Sequence, residues 1–379
     1  MARPLLIPPQ NLSVPPLPGA PQNPDLVPLY GYVAIDEGTL MVAASRPRDA
    51  EDNYESAVHI FERNAEGRWM YAGILTNQPV LDLKLDGGMA AVLSQVNPPV
   101  ISVFERGATG WALTGAIQAP NGRLVRIQDG SIYLAPLDNP NPLGCMSPYQ
   151  EFRKVNGTWT QVATIGGQRC DRNSADINDG RALITHVPWD STTPPAPAEV
   201  FASSQPTWNP VGTFPWPAGT GSIRGDTIYI DGGNFYRYVG GAWLPAGRLH
   251  EPEEEIRIGG VQGKLRGNHL VLLGEERDYE RAIDDFEGHF HWHVLRVYRQ
   301  NPAGTFVYHA RLNSDYQLNY WALSDDGRQV AASGYHVNDD RSAEPRRLYV
   351  FDIPETTSFP GTRQDTFGNG NYSRWTATA

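Results

Sequence analysis

The sequence predicts an all-β chain folded as a seven-bladed β-propeller. Each blade has four antiparallel strands, and an N-terminal strand closes the last blade. Three observations carry this expectation: a hairpin signature that recurs seven times, a second hairpin signature that follows it six times, and an excess of turn formers. Gly and Pro number 38 and 32 in 379 residues, against average usages of about 7% and 5%. That excess disfavours long helices and calls for many turns. Hydrophobic residues at 40% and charged residues at 19% can bury a core, so the chain is not a disordered polymer.

The first signature is an apolar anchor, then Asp, Asn or Gly with a turn glycine, then an apolar run. Its copies are VAIDEGTLMV, LKLDGGMAAV, VRIQDGSIYL, ADINDGRALI, GSIRGDTIYI, GKLRGNHLVL and WALSDDGRQVA. The anchors are Ile35, Leu85, Ile127, Ile177, Ile223, Leu265 and Leu323, spaced 42 to 58 residues apart. Asp-Gly and related pairs tolerate the positive φ of tight hairpin turns, so each copy reads as strands a and b of one unit. The second signature is an aromatic on a strand, followed seven or eight residues later by a Gly-x-Trp-like turn. It pairs Phe61 with Trp69, Phe104 with Trp111, Phe152 with Trp159 and Phe201 with Trp208, then Tyr236 with Trp243 and Tyr298 with Phe306. It reads as strands c and d. Seven four-stranded units at this period match propeller blades.

In chain order, residues 1–30 are expected to hold a closing strand and a Pro-rich linker, and 31–361 the propeller. Residues 362–379 are expected to form a tail or the start of a following β-sandwich domain. Blade seven has strand c as RRLYVFDIP, ending near Ile353, but no strand d follows. A propeller left open there would expose an unpaired edge. The stretch from Leu5 to Val14, with its LLI and NLSV runs, is expected to supply the strand by pairing near Leu348 to Phe351. The other reading of this stretch is a disordered tail.

Lys and Arg number 31 and Asp and Glu 42, a net charge of −11. No basic excess favours nucleic acid as a partner, and no apolar run is long enough to span a membrane. The N-terminus has no sustained apolar core of the secretory kind. Cys145 and Cys170 could close one disulfide, worth about 3 kcal/mol in the chain-entropy model, or remain two thiols.

Blade one (Val33 to Thr76) reads VAIDEGTLMVAAS, then AVHIFERNAEGRWMYAGILT, and blade two repeats it through Val103, Phe104, Glu105, Arg106 and Trp111. This unit resembles the repeat of bacterial FG-GAP-type propellers, similar to the integrin α-subunit head. The periodic pattern spans about Tyr32 to Pro354 and is strongest in blades one and two. The family's Phe-Gly and Gly-Ala-Pro signatures are missing, and its Asp-x-Asp-x-Asp-Gly calcium loop occurs in no blade. Its calcium sites are therefore not carried over. The resemblance implies an extracellular, often adhesive or carbohydrate-associated setting and names no ligand. The tail segment DTFGNGNYSRW resembles the opening of a laminin-G or concanavalin-type sandwich, which implies a piece of a larger multidomain chain.

The topology puts the short a–b and c–d turns on one face and the b–c and d–a loops on the other. Recognition tends to sit on loops held by a rigid scaffold, so the second face is the expected binding face. Binding candidates there are Asp49, Asp52, Tyr54, Trp189, Tyr335 and His336. The same loops carry further acids, such as Glu276, Asp284 and Asp339, which would suit a cationic partner or a bridging metal ion. The plain alternative is a solvated face. The repeated tryptophans are expected to pack between blades rather than stack on sugars, because they recur at one structural point.

His289, His291 and His293 alternate along one strand, so they share a face. Imidazoles so placed could hold Zn²⁺, with Asp284, Asp285 or Glu287 completing the shell. Three solvated histidines are the alternative, and the possible divalent metal is Zn or Ca. Catalytic candidates are His186, Tyr335, His336 and Arg341, a base-and-guanidinium set suited to a polysaccharide lyase. The first expectation is a non-catalytic extracellular or cell-surface module for recognition or adhesion. It binds a protein or glycan through the b–c and d–a face. The rivals are a polysaccharide lyase or hydrolase and a structural spacer in a modular secreted protein.

Overall fold

The computed structural model describes residues 5–7, 10–15, 29–47, 54–118, 122–136, 148–167, 172–187, 197–204, 207–215, 220–230, 233–249, 262–277, 291–312, 317–335 and 347–355. They form seven antiparallel blades, and no helix occurs among them. Two short N-terminal strands, β1 (Leu5–Ile7) and β2 (Gln10–Leu12), precede the first blade. Blade one is β3–β6 (Leu29–Asp36, Thr39–Pro47, Tyr54–Arg63, Trp69–Thr76) and blade two is β7–β10 (Val80–Asp86, Met89–Ser94, Val100–Gly107, Gly110–Gln118). Blade three is β11–β14 (Gly122–Gln128, Ser131–Pro136, Tyr149–Val155, Thr158–Ile165) and blade four is β15–β18 (Arg172–Asn178, Arg181–Val187, Ala198–Ser203, Trp208–Phe214). Blade five is β19–β22 (Gly221–Arg224, Thr227–Ile230, Asn234–Val239, Ala242–Arg248) and blade six is β23–β26 (Gln262–Arg266, His269–Arg277, His291–Gln300, Phe306–Leu312). Blade seven takes β27–β29 (Gln317–Leu323, Gln329–Tyr335, Arg347–Asp352) from the C-terminal part and β2 from the N-terminus.

The turns follow from the chemistry of their residues. Asp129-Gly130 and Asp179-Gly180 have φ values of 50° and 73°, and 50° and 67°. These are the left-handed pairs that match the twist of a two-residue hairpin. Burial follows the radial position of each strand. The b strand β8 is buried along its whole length, whereas the d strand β6 turns three of its first four residues to solvent. A strand sandwiched between two neighbouring blades must be apolar on both faces, and an outer strand need not be.

Seven apolar clusters fill the seven gaps between adjacent blades. All seven anchors of the first signature are buried in them. The ring closes through β2, which pairs antiparallel with β29 in the register Gln10↔Val350, Asn11↔Tyr349 and Leu12↔Leu348. Val14 follows, buried between blades seven and one, and its N–H donates to the Tyr30 hydroxyl at 3.0 Å. One detail was not expected. Leu5–Ile7 stays out of blade seven and adds a fifth strand to blade six, parallel to β26.

Every c–d pair from blade one to blade six carries a β-bulge at one equivalent place. The bulged residues are Ala72, Thr114, Val162, Val211, Ala246 and His309, each followed by Gly or Ala. In blades two and four the small residue makes room for a ring of the next blade. A Cβ on Gly115 of blade two would lie 2.5 Å from the Trp159 ring of blade three, and one on Gly212 of blade four would lie 3.0 Å from Trp243 of blade five. The repeated tryptophans are therefore inter-blade packing residues. Trp208 alone among them also donates a hydrogen bond, from Nε1 to the buried Glu151 carboxylate at 2.7 Å.

Candidate functional site

The seven a strands surround the axial channel. On each, one alternate set of residues is apolar and holds the anchor; the other set looks toward the channel. In blades two to six this second set is polar and differs from blade to blade: Asp82, Lys84 and Asp86 in β7; Arg123, Arg126 and Gln128 in β11; Asp176 and Asn178 in β15; Ser222 and Arg224 in β19; Lys264 and Arg266 in β23. In blades one and seven it includes Ala34 and Ala322, which pack against apolar clusters. A bulge at Val125 keeps Arg123 on the same side as Arg126.

At the end of the channel that carries the a–b turns, two guanidinium groups reach across it. Arg126 of blade three donates to Asp325 of blade seven at 2.5 Å, three blades away around the ring. Arg266 of blade six donates twice to Asp176 of blade four, at 2.7 and 3.2 Å, and lies 3.9 Å from Asp325. Asp176 also accepts the Ser222 hydroxyl at 2.5 Å and the Ile223 N–H at 2.9 Å. Asp36 of blade one accepts the N–H of Gly87 in blade two at 2.7 Å and that of Asp325 in blade seven at 3.0 Å. Asp86 of blade two accepts the Asp129 N–H of blade three at 3.0 Å. Each of these groups ties one blade to another, so together they stitch the ring and plug this end. The turns of blades six and seven touch here: a Cβ on Gly267 would sit 1.8 Å from the Asp326 carbonyl oxygen.

The electrostatics follow from burial and mutual proximity. Burial alone would raise the Asp176 carboxyl, but the Arg266 charge and its hydrogen bonds outweigh it and hold the group below the usual carboxylate range. Burial pushes Asp86 up to about 7, helped by the charge of Asp325 and a hydrogen bond to it. A proton on Asp86 relieves like-charge repulsion in a desolvated place.

Further along the a strands, away from the plug, the lining changes. Lys264 donates to the Trp321 carbonyl oxygen at 3.1 Å and sits 4.2 Å from that ring's centroid. Burial lowers its ammonium to about 7, with the Lys84 charge adding to the effect. Lys84 bonds Asp82 at 2.6 Å while its side chain stays 34% exposed. Arg123 is exposed near the start of β11. Tyr32 of blade one and Tyr320 of blade seven meet with ring centroids 4.6 Å apart.

Few of the residues singled out from the sequence fall among the described ones. Asp49, Asp52, Trp189, His336, Arg341, His289, Cys145 and Cys170 fall outside the described residues, as do Asp284, Asp285, Glu287 and Asp339. Tyr54 opens β5, His186 lies near the end of β16 and Tyr335 ends β28. His291 and His293 are two apart on β25, in register with Arg277 and Glu275 of β24. Glu276 pairs with Trp292 on the same two strands. Among the described residues no group of three or more His, Cys, Asp or Glu is placed to hold a metal ion.

The channel residues were missed, although a signal existed. Asp82-x-Lys84-x-Asp86 and Lys264-x-Arg266 put charges at alternate positions of strands otherwise made of anchors. Alternation on an innermost strand points such charges at the axis.

No family model matches the chain, and no curated protein matches it. Solved structures do match in fold. One is the acylaminoacyl peptidase of Pyrococcus horikoshii, at a TM-score of 0.53 and 12% identity over 90% of this chain and 53% of that one. Another is the propeller domain of the Trilobed protease from Pyrococcus furiosus, at 0.52 and 9% identity over 90% of this chain and 98% of that one. A prolyl endopeptidase matches at 0.53 and 12% identity over 86% of this chain and 47% of its own. The chain thus spans about half the length of the peptidases and nearly all of the isolated propeller domain. The Pyrococcus furiosus domain is described as having an open velcro topology, whereas here β2 pairs with β29. The shared feature is the fold: this chain is a seven-bladed β-propeller.

Proposed function

We propose that the chain is a non-catalytic recognition module, extracellular or on the cell surface. It binds a protein or glycan through the face that carries the b–c and d–a connections. The observation that supports this most is the asymmetry of the channel. At the turn end, Arg126, Arg266, Asp176 and Asp325 are bonded to one another across the axis, which leaves that end little free polar chemistry. Toward the other end, Lys84 and Arg123 keep exposed surface. The connections after Pro136, Val187, Arg277 and Tyr335, which are the long b–c segments, also leave from that end. The resemblance of blades one and two to FG-GAP-type repeats fits the same setting. Screening the intact chain on glycan and protein arrays tests the reading; binding that loop-face substitutions such as Tyr335→Ala leave intact counts against it.

A second reading, a polysaccharide lyase, is favoured by one observation. An amine held near 7, as Lys264 is, suits a general base at neutral pH. Absorbance near 235 nm with uronic-acid polymers separates the two: unsaturated product appears only if the chain cleaves.

A further inference from the structure

We propose that the channel lumen binds the carboxylates of an acidic oligosaccharide through Lys84, Lys264 and Arg123, with the Tyr32–Tyr320 pair as the platform for its sugar rings. This rests on the recognition reading above and names the ligand class for that face.

The argument begins with charge. The chain carries a net −11, yet three cations from blades two, three and six line the lumen on the loop side of the plug. At the plug the guanidinium groups are matched by Asp176 and Asp325. Further along the lumen the matching is incomplete. Lys84 has Asp82 at 2.6 Å. Neither Lys264 nor Arg123 has a carboxylate within ion-pair distance among the described residues; Lys264 makes do with a carbonyl oxygen and an aromatic face. An ammonium has three N–H donors, so Lys264 retains hydrogen-bonding capacity for a ligand. An incoming carboxylate supplies the missing negative charge in a place where low dielectric strengthens the attraction.

The aromatic pair decides in favour of a sugar over a bare anion. Tyr32 and Tyr320 are half-buried against each other, and Tyr32 lies within electrostatic reach of Asp82 and Arg123. A tyrosine offers a flat apolar face with a hydroxyl at its rim, which suits a pyranose ring better than an inorganic ion. The groups acting on the Lys264 ammonium are Lys84, Arg266 and Arg126, which disfavour its charge, and Asp176, which favours it. A bound carboxylate adds to the Asp176 side. Binding should therefore take up a proton near neutral pH and weaken as pH rises from 6 to 8.5.

The test is calorimetric titration of the intact chain with a hexamer of galacturonic acid, with its fully methyl-esterified form, and with inorganic phosphate. The wild type should bind the acid hexamer at least tenfold more tightly than the ester. Lys264→Met and Lys84→Met should each weaken the acid hexamer at least tenfold while leaving the melting temperature within a few degrees. Equal binding of acid and ester, or unchanged binding by both variants, overturns the inference and leaves the broader recognition reading standing. Displacement of the hexamer by phosphate at equal affinity also overturns it, because the lumen would then read charge without sugar. Binding of a protein on the arrays with no response to any hexamer overturns it likewise. A chain that binds nothing on the arrays overturns the recognition reading itself.

Discussion

The outer strands and the inner strands of this propeller obey opposite rules. Along the outer belt the same solution recurs in blades one to six: an aromatic after a turn, a bulge, then Gly or Ala. Along the channel no two blades supply the same residues. The outer belt solves one packing problem six times, since each of these blades meets its neighbour in nearly the same way. The channel is a single shared space, so each blade contributes a different part, and Arg126 can find its partner three blades away. Repetition marks residues that hold the fold. The loss of repetition, inside a scaffold that otherwise keeps it, marks where a specific job is done.

The two exceptions in the outer belt are informative. Blade seven borrows its fourth strand from β2. Blade six places His309 at the bulge, where other blades have Ala, Thr or Val. His309 Nε2–H donates to the Pro354 carbonyl oxygen at 2.8 Å, just after β29. Its ring is 6.0 Å from that of His269, which is 4% exposed and has no hydrogen-bond partner on either ring nitrogen among the described residues. Arg299 donates to the Glu355 carbonyl oxygen and Arg328 pairs with the Glu355 carboxylate, so the chain leaving β29 is pinned against blade six.

The largest expected effect comes from breaking the borrowed strand. Deleting residues 1–15 removes β2 and the buried Val14 and leaves β29 as an open edge. A loss on the order of 5 kcal/mol follows from the apolar burial, which calorimetry should read as a melting temperature lower by roughly 6 °C. An unchanged melt would remove β2 from the account of closure.

Breaking the channel is next. Arg266→Ala leaves Asp176 buried without its main partner, at a cost of about 3–5 kcal/mol in chemical denaturation. The same substitution at Arg224, which makes one exposed bond to Asn268, should cost under about 1 kcal/mol. Equal losses at the two arginines would contradict the plug.

Within the outer belt, Trp208→Phe and Trp243→Phe sharpen the comparison. Both keep most of the ring packing. Only the first removes a donor from the buried Glu151, which still has Ser131 and Arg153. The expected difference is about 1–2 kcal/mol in unfolding free energy, with Trp208 the costlier site.

The smallest effect is a pH dependence at the blade six–seven seam. Burial, then the His309 charge, lowers His269 to about 4, and burial lowers His309 as well. Both folded values lie below the ordinary histidine value of about 6.5. The folded state therefore binds fewer protons than the unfolded chain, and the stability present above pH 6.5 is lost as pH falls toward 4. His269→Gln should flatten the pH dependence of unfolding by about 1–2 kcal/mol between pH 7 and pH 5. An identical slope in wild type and variant would assign the acid sensitivity elsewhere.

Much of this architecture could be read from the residues. The anchors from Ile35 to Leu323 and the aromatics from Phe61 to Tyr298 are local signals, because hairpin turns and strand alternation are set by neighbours in sequence. The missing fourth strand of blade seven also followed, since an edge must be covered and the apolar runs of the N-terminal stretch can cover it. The plug could not be read in the same way. Whether Arg126 meets Asp325, or Arg266 meets Asp176, depends on how blades far apart in sequence close around an axis, and no local pattern encodes that distance. The register of β1 against blade six was likewise a choice between two edges, made by packing. Sequence alone therefore determined the repeated shell, where each blade solves the same local problem. Only the tertiary structure decided the channel, because its charges acquire partners, and with them their pKa values, once the ring has closed.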